Sequence, residues 1–408
     1  MEFGYIYLIL AAVVGFFMAF GVGANDVANA IGTSVGAKAL SIRQAIIVAI
    51  IFESLGALLA GSTVTDTIRH SVIDSSSLSV NNTVLIFGMI SASLSAGIWL
   101  ITASNLGWPV STTHSLIGAV IGFGVVAFGF NGVQWGVVGE IVVSWLASPI
   151  LAGIVSFSLF HAIQKFIFNN NEPLQAAKSI IPFFIFASFT LIIKYTVLPG
   201  FVTYGADFSV LTGWLISSFL SLLVSLYVVY KINKISKSAI HQHRLVESYF
   251  SALMIFTACT MAFAHGSNDV ANATGPVAAV VDAVYDFTVE TPFWVTLIGV
   301  LGIIFGLTFY GYKIIATIGE NITTLTPSRA FAAEISAALV VIFASNIGMP
   351  VSTTQTLVGS ILGVGLAKGI SAINIQVIRN IFFSWIITLP VGALLSVICY
   401  LTLTKLFM

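Results

Sequence analysis

Two short stretches carry the residue types and spacing that could do chemistry. Residues 23–32 read GANDVANAIG, and residues 266–275 read GSNDVANATG. On a helix, positions three and four apart share a face. Asn25, Asp26 and Asn29 therefore converge on one point, and so do Asn268, Asp269 and Asn272. Each set offers one carboxylate and two neutral amide oxygens, in an apolar context where an unpartnered charge is costly. Such oxygens are ligands for a hard cation, and one carboxylate per site suits Na⁺ (suspected metal at Asp26 and Asp269) better than a divalent ion. Helix capping is the ordinary use of Asn and Asp. Capping alone leaves unexplained why an aspartate flanked by two asparagines occurs twice. Gly21, Gly23 and Gly266 precede the clusters and predict a helix break there, which would add free backbone groups to an ion site.

A second pair follows each first one. ASNLGWPVSTTHSLIGAVIGFG spans 103–124 and ASNIGMPVSTTQTLVGSILGVG spans 344–365. Pro109 and Pro350 favour the first turn of a helix. That places Ser111, Thr112 and Thr113, and likewise Ser352, Thr353 and Thr354, at or near a helix N-terminus. Free N–H groups, the positive helix end and the hydroxyls together form an anion cradle. Two cradles face to face could surround a tetrahedral oxyanion. No Lys or Arg stands near either motif, so the anion must be held by neutral donors and co-bound cations. His114 and Gln355 occupy matched positions and are candidate further donors. Asn105 and Asn346, also matched, could complete a site or cap the break. Ordinary helix-start chemistry, or hydroxyls acting as interhelical glue, is the competing reading. Cations on Asp26 and Asp269 would remove the repulsion between those carboxylates and an anion, and the coupling is reciprocal. That is the physical content of symport.

The elements that position these motifs are helices in a bilayer. The chain has 408 residues, 58% of them hydrophobic and only 7% charged, against roughly 25% charged in soluble domains. Its mean hydropathy is +1.05. Apolar runs at 84–104, 179–200, 208–230 and 292–309 are long enough to span a membrane. The N-terminus lacks a basic lead and a small-residue cleavage site, so it reads as a first spanning helix. Helical pieces are expected at 4–22, 26–37, 42–64, 84–104, 113–130, 135–168, 179–200, 208–230, 248–265, 268–284, 292–316, 330–346, 355–368 and 374–404, about twelve elements in all with broken or re-entrant ones. This is an all-α polytopic membrane protein.

The motif pairs recur in the same order. Asp26 precedes Ser111 by 85 residues and Asp269 precedes Ser352 by 83. Residues 1–168 read as the first repeat half, 169–247 as central helices with a basic loop, and 248–408 as the second half. Repeats of this kind, often inverted, build many secondary transporters. The loop 231–247 carries Lys231, Lys234, Lys237 and Arg244, and the positive-inside rule places it in the cytoplasm.

Glu53 and Glu334 stand in apolar runs without matched offsets; each could line the path, carry a proton or pair with a distant group. NNT at 81–83 and NIT at 321–323 fit glycosylation acceptors. Fifteen basic residues balance fifteen acidic ones, and no basic patch argues for nucleic acid. A channel would use continuous rings of ligands rather than two compact sites. An enzyme would need a nucleophile–base or metal set. His265 stands four residues before Asp269 and mimics a catalytic pair, but Val22 occupies the matching place, so the histidine lies outside the repeated core.

The paired GxNDVANA and PVSTT motifs resemble those of the inorganic phosphate transporter (PiT) family, and the resemblance covers the whole chain. It implies an inverted-repeat secondary transporter with about twelve transmembrane helices, both termini outside the inner (plasma) membrane, and commonly a homodimer in the lipid bilayer. It implies inorganic phosphate carried inward with Na⁺ or H⁺, and no organic cofactor. The family's signature aspartates and asparagines match Asp26, Asn25, Asn29, Asp269, Asn268 and Asn272. Its serine–threonine segments match 111–113 and 352–354, and its early and late glutamates look like Glu53 and Glu334. A sodium-coupled phosphate symporter is the expectation. Proton-coupled transport of phosphate or a metal–phosphate complex, or transport of sulfate, is the alternative.

Overall fold

The computed structural model describes residues 4–70, 82–203, 205–234, 242–285, 291–311, 325–369 and 374–407. The candidate glycosylation asparagine at 321 and the centre of the basic loop lie outside them, as does residue 81. Among the described residues every regular element is helical: α1 Gly4–Gly36, α2 Ile42–Ala60, α3 Ser62–His70, α4 Asn82–Asn105, α5 Thr112–Phe128 and α6 Trp135–Ile163, then α7 Pro173–Ile192, α8 Leu198–Thr203 and α9 Val210–Lys234. After the basic loop come α10 Gln242–Val284, α11 Phe293–Tyr310, α12 Pro327–Asn346, α13 Thr353–Lys368 and α14 Ile375–Phe407. Among the described residues, ten helices are long and apolar enough to cross a membrane. The chain is a multi-pass membrane protein.

The expected breaks at Gly21, Gly23 and Gly266 do not occur. α1 and α10 each run unbroken through their polar motif, so the pieces expected at 4–22 and 26–37 are one helix, as are those at 248–265 and 268–284. α10 begins before residue 248, within the segment assigned to the centre. The motif glycines serve close approach instead. A Cβ on Gly23 would lie 2.1 Å from the Ile303 carbonyl oxygen, and one on Gly266 would lie 2.1 Å from the Glu53 carbonyl oxygen. No side chain fits there, so only glycine lets α1 lie against α11 and α10 against α2.

The chain is broken at the second motif. α4 ends in a Schellman turn: Trp108 N–H bonds the Ala103 carbonyl and Gly107 N–H bonds the Ser104 carbonyl, with Gly107 at φ +70°. α12 ends the same way, with Met349 on Ala344, Gly348 on Ser345 and Gly348 at φ +72°. Pro109 and Pro350 then stop each helix. They stand outside the next helix, not in its first turn, because Ser111 and Ser352 are the N-caps of α5 and α13. Gly88 of α4 lies against Phe123 of α5, so α4 and α5 form an antiparallel hairpin. Its tip is the PVSTT segment.

The contacts show an inverted exchange between the two copies. Gly4 lies against Val284 and Gly15 against Val277, so α1 and α10 are antiparallel. α1 runs parallel to α11 and α2 parallel to α10. In the same way α5 runs beside α14, Gly118 on Leu389 and Gly122 on Ala393, while α13 runs beside α6, Gly359 on Pro149 and Gly363 on Gly153. Each helix of one copy is thus packed on a helix of the other. The rings of Tyr7 and Phe407 both meet Phe87, so both chain ends lie at one face, and Gln242 begins α10 at the opposite face. At the terminal face, Arg69 of α3 forks onto the Asp282 carboxylate and donates to Thr291 Oγ1 at 2.5 Å.

Candidate ion and anion site

The two polar motifs and the two hairpin tips meet in one buried cluster. Asn25, Asp26, Asn29, Asn268, Asp269 and Asn272 are each at most 1% exposed, and Ser111–Thr113 and Ser352–Thr354 at most 2%. The hydrogen bonds are two-fold. Asn25 Nδ2 donates to Ser104 Oγ (3.1 Å) and the Trp108 carbonyl (3.1 Å). Its counterpart Asn268 donates to Ser345 Oγ (3.0 Å) and the Met349 carbonyl (3.2 Å). These bonds tie each polar motif to the tip of its own copy.

The next layer crosses between copies. Asn29 Nδ2 donates to Thr354 Oγ1 (2.7 Å), and Asn272 Nδ2 donates to Thr112 and Thr113 Oγ1 (3.1 and 3.3 Å). Thr113 Oγ1 lies 3.0 Å from the Val351 carbonyl oxygen, to which it donates, and Thr354 Oγ1 lies 3.2 Å from that of Val110. The tips therefore clasp each other at the centre. Asp26 accepts from Asn29 at 3.1 Å, and Asp269 accepts from Thr353 at 2.6 Å.

The asparagine nitrogens are all engaged, and Asn25 Oδ1 accepts from Val110 N–H at 3.2 Å, but most of the remaining oxygens are not engaged. Asp26 Oδ2, Asn29 Oδ1, Asn268 Oδ1, Asp269 Oδ1 and Asn272 Oδ1 are buried without a hydrogen-bond partner. Buried polar atoms are normally satisfied, so five orphaned acceptors at one place call for donors or a cation. Asp26 and Asp269 also bring carboxylate oxygens within 4.8 Å of each other and of His265. Two carboxylates that close repel strongly in a low-dielectric interior unless a cation or proton lies between them.

The anion side has matching chemistry. Ser111 Oγ accepts from His114 N–H (3.2 Å) and Ser352 Oγ from Gln355 N–H (3.3 Å). Each serine thus caps its helix and fixes the first turn. The N–H groups of Thr112 and Thr113, and of Thr353 and Thr354, have no intrahelical carbonyl to bond. The capped ends of α5 and α13 meet here, and both are positive ends of helix dipoles.

Residues 22–396 match the family model described as the phosphate transporter family. The chain belongs to this family. A relative from Haemophilus influenzae named "Putative phosphate permease" is 45% identical over 406 residues, spanning 98% of this chain and 97% of the relative. One from Thermococcus kodakarensis, with the same descriptive name, is 41% identical over 394 residues, 96% of each. A solved structure described as "The sodium-dependent phosphate transporter" superposes with a TM-score of 0.91 at 40% identity, covering 99% of this chain and 100% of that one. At that identity the whole architecture is shared.

In this phosphate transporter family member, several expected site residues stand elsewhere. Asn105 and Asn346 are exposed; the buried partners of the polar motifs are the preceding Ser104 and Ser345. The repeated ASN triplet held that signal, but the serine carries it. His114 and Gln355 turn away from the cluster. Their backbone N–H groups are taken by the capping serines, and their side chains line a separate cavity with Trp145 and Trp385. They are therefore not placed to hold the anion. His265 does belong to the site, although the repeat excluded it. Its Nε2 lies 2.9 Å from Asp269 and its Nδ1 lies 3.3 Å from Glu53, at ion-pair distance. All three residues are buried. Only the i,i+4 spacing to Asp269 pointed to it. Glu334 has a different setting: its carboxylate accepts from Thr33 (2.6 Å), Ser34 (2.9 Å) and Thr257, joining α12 to α1 and α10.

Proposed function

We propose that this chain is a sodium-coupled symporter that imports inorganic phosphate. The observation that carries the reading is the set of five orphaned acceptor oxygens around two close carboxylates. Acceptor-only sites of carboxylate and amide oxygen attract a hard monovalent cation. Na⁺ between or beside Asp26 and Asp269 relieves their repulsion and presents positive charge to the capped ends of α5 and α13. Phosphate then meets the free N–H groups at the starts of α5 and α13, the bound cations, and the Ser111 and Ser352 hydroxyls, which only accept in their capping bonds. The Thr112, Thr113, Thr353 and Thr354 hydroxyls turn to it only as their present bonds are given up. No basic side chain is needed, and each ligand raises the affinity for the other. The name of the solved relative, a sodium-dependent transporter, supports the choice of ion and substrate.

The same reading takes Glu53 and His265 as tuning the Asp269 side of the site and Glu334 as a buried carboxylate on the transport path. It takes residues 1–168 and 248–408 as the exchanging copies around a central segment, and the protein as a homodimer, as the family resemblance implies. The basic loop then lies in the cytoplasm and both chain ends outside. The test is uptake of labelled phosphate into proteoliposomes, with Na⁺ and proton gradients imposed separately. Sodium-driven uptake, lost in Asp26→Asn and Asp269→Asn, is expected. Uptake driven by protons without Na⁺ would replace the ion, and uptake of sulfate in preference to phosphate would replace the substrate.

A further inference from the structure

Between the buried cluster and the face that carries both chain ends lies one short helix. α3 is nine residues long, STVTDTIRH, too short to span a bilayer. It runs outward along α10, starting just past the polar motif. A Cβ on Gly61, the residue between α2 and α3, would lie 2.7 Å from the Val270 side chain. Thr65 Oγ1 lies 2.9 Å from Thr274 Oγ1, and a Cβ on Gly275 would lie 2.5 Å from the Ile68 side chain. Val64, Thr65 and Ile68 are buried against α10. The other face of α3 is polar and open: Ser62 and Thr63 are exposed, and the Asp66 side chain is 59% exposed.

Depth gives that face its meaning. From Thr274, level with Asp66, α10 continues eight residues to Asp282, about 12 Å. A carboxylate exposed to hydrocarbon at that depth is costly, so α3 faces water. The polar face reaches inward to Ser62 and Thr63, which line a cavity of about 30 Å³ with Ser345, room for about two waters. Ser345 in turn holds Asn268. An aqueous vestibule thus descends along α3 to the edge of the ion cluster.

Two further contacts hold α3 down. Thr67 Oγ1 donates to the Gly348 carbonyl at 2.7 Å, in the turn that leads to the Ser352 cap. Arg69 forks onto Asp282, with side chains 10% and 1% exposed. Parting a buried pair is costly because each charge is left unpaired out of water. Here the vestibule supplies that water once α3 lifts, and the pair becomes one of surface strength. The fork is therefore a latch that can open and close.

We propose that α3 is the gate between this vestibule and the ion and anion site, pivoting at Gly61 and held shut by Arg69–Asp282 and Thr67–Gly348. What passes it rests on the transport reading above. Because Gly348 shapes the tip that carries Ser352, Thr353 and Thr354, a ligand seated on that tip is felt by the gate.

The test reads access first and uptake second, in a chain carrying Cys259→Ser and Cys399→Ser. In nanodiscs, a charged methanethiosulfonate reagent should label Thr63→Cys rapidly. A thiol facing hydrocarbon stays protonated and inert, and slow labelling there would overturn the proposal. Thr274→Cys, buried under α3, should label slowly. Adding Asp282→Asn should speed its labelling at least tenfold, and adding Thr67→Val should speed it by less, with circular dichroism unchanged. Labelling no faster in either combination would overturn the gate. In proteoliposomes, Thr65→Cys and Thr274→Cys are then oxidised to a disulfide, which locks α3 onto α10. Sodium-driven phosphate uptake should fall at least tenfold and return on reduction. Full uptake with the bond formed would overturn the gate. No uptake in the natural chain would refute the transport reading instead, and the labelling rates would still decide the gate.

Discussion

Neutralising Asp26 should stabilise the ion-free protein while weakening its ion. The carboxylate oxygens of Asp26 and Asp269 lie within 4.8 Å of each other, where two unit charges at an effective dielectric of 20 repel by about 3.5 kcal/mol. Asp26→Asn removes that repulsion and keeps an oxygen for Asn29 and Thr354 to reach. A cation midway between the carboxylates would gain about 7 kcal/mol from each on the same scale. The amide dipole and the released hydration offset most of one such term. A remaining third, about 2.3 kcal/mol, is roughly a 50-fold loss of Na⁺ affinity. The two effects have opposite signs, which is what makes the test sharp. Thermal unfolding in choline buffer should show a higher Tm for Asp26→Asn than for the natural chain. Adding Na⁺ should raise the Tm of the natural chain and leave the variant nearly unmoved. Asp269→Asn should show no such gain without Na⁺, because Asp269 also faces His265 at 2.9 Å and accepts from Thr353. A variant that is less stable without Na⁺ yet keeps the full Na⁺ response would refute the reasoning. An unchanged Tm without Na⁺ would show that a proton already shares the pair, and would refute the repulsion argument alone.

Gly23→Ala and Gly266→Ala should each cost about 1–3 kcal/mol by forcing helices apart, read as a fall in Tm. Gly21→Ala should cost less, since its added Cβ meets the Leu100 side chain at 3.1 Å rather than a carbonyl. Thr113→Val and Thr354→Val each strip a backbone carbonyl of its donor, at about 1–3 kcal/mol apiece; the double variant should lose less than the sum, because both open one clasp, and a double-mutant cycle on denaturant unfolding measures this. Glu334→Gln replaces an acceptor-only group by an amide, so one of the hydroxyls of Thr33, Ser34 and Thr257 loses its acceptor. Phosphate uptake should fall while the protein stays folded, checked by uptake against circular dichroism.

The helices, the membrane and the repeat were legible because each rests on pattern: long apolar runs, and two motifs spelled twice. The convergence of Asn25, Asp26 and Asn29 followed from helical spacing alone. What pattern misread was the role of the glycines. Gly23 and Gly266 looked like hinges, because a glycine beside an aspartate in lipid suggests a break; contacts with Ile303 and Glu53, far off in sequence, decide otherwise. Pro109 and Pro350 looked like helix openers, but the Schellman turns at Gly107 and Gly348 had already closed the preceding helix. Asn105 stands out as a matched polar residue beside the proline motif, but it is Ser104 that faces Asn25. Facing is set by how α4 lies on α1, which no local spacing reveals. His265 has Val22 at its matching place, so the repeat hides it, and its partner Glu53 comes from another helix.

That lone histidine bears on how such a protein can work at all. An inverted repeat with identical halves has two states related by its two-fold axis, open to either side, of equal energy. The two-fold bonds of Asn25 and Asn268, of Asn29 and Asn272, and of Thr113 and Thr354 read the same from both faces. They bind, but they cannot prefer a side. Only residues without a counterpart can separate the two states in energy. His265 and Glu53 are such residues, since Val22 stands where a second histidine would be. The Arg69–Asp282 fork is another, at the face that carries both chain ends, where the matching position to Asp282 is Ala39. Because the copies exchange helices, α1 on α11 and α2 on α10, neither can rearrange without the other. A bias placed at one face therefore acts on the whole clasp at the centre.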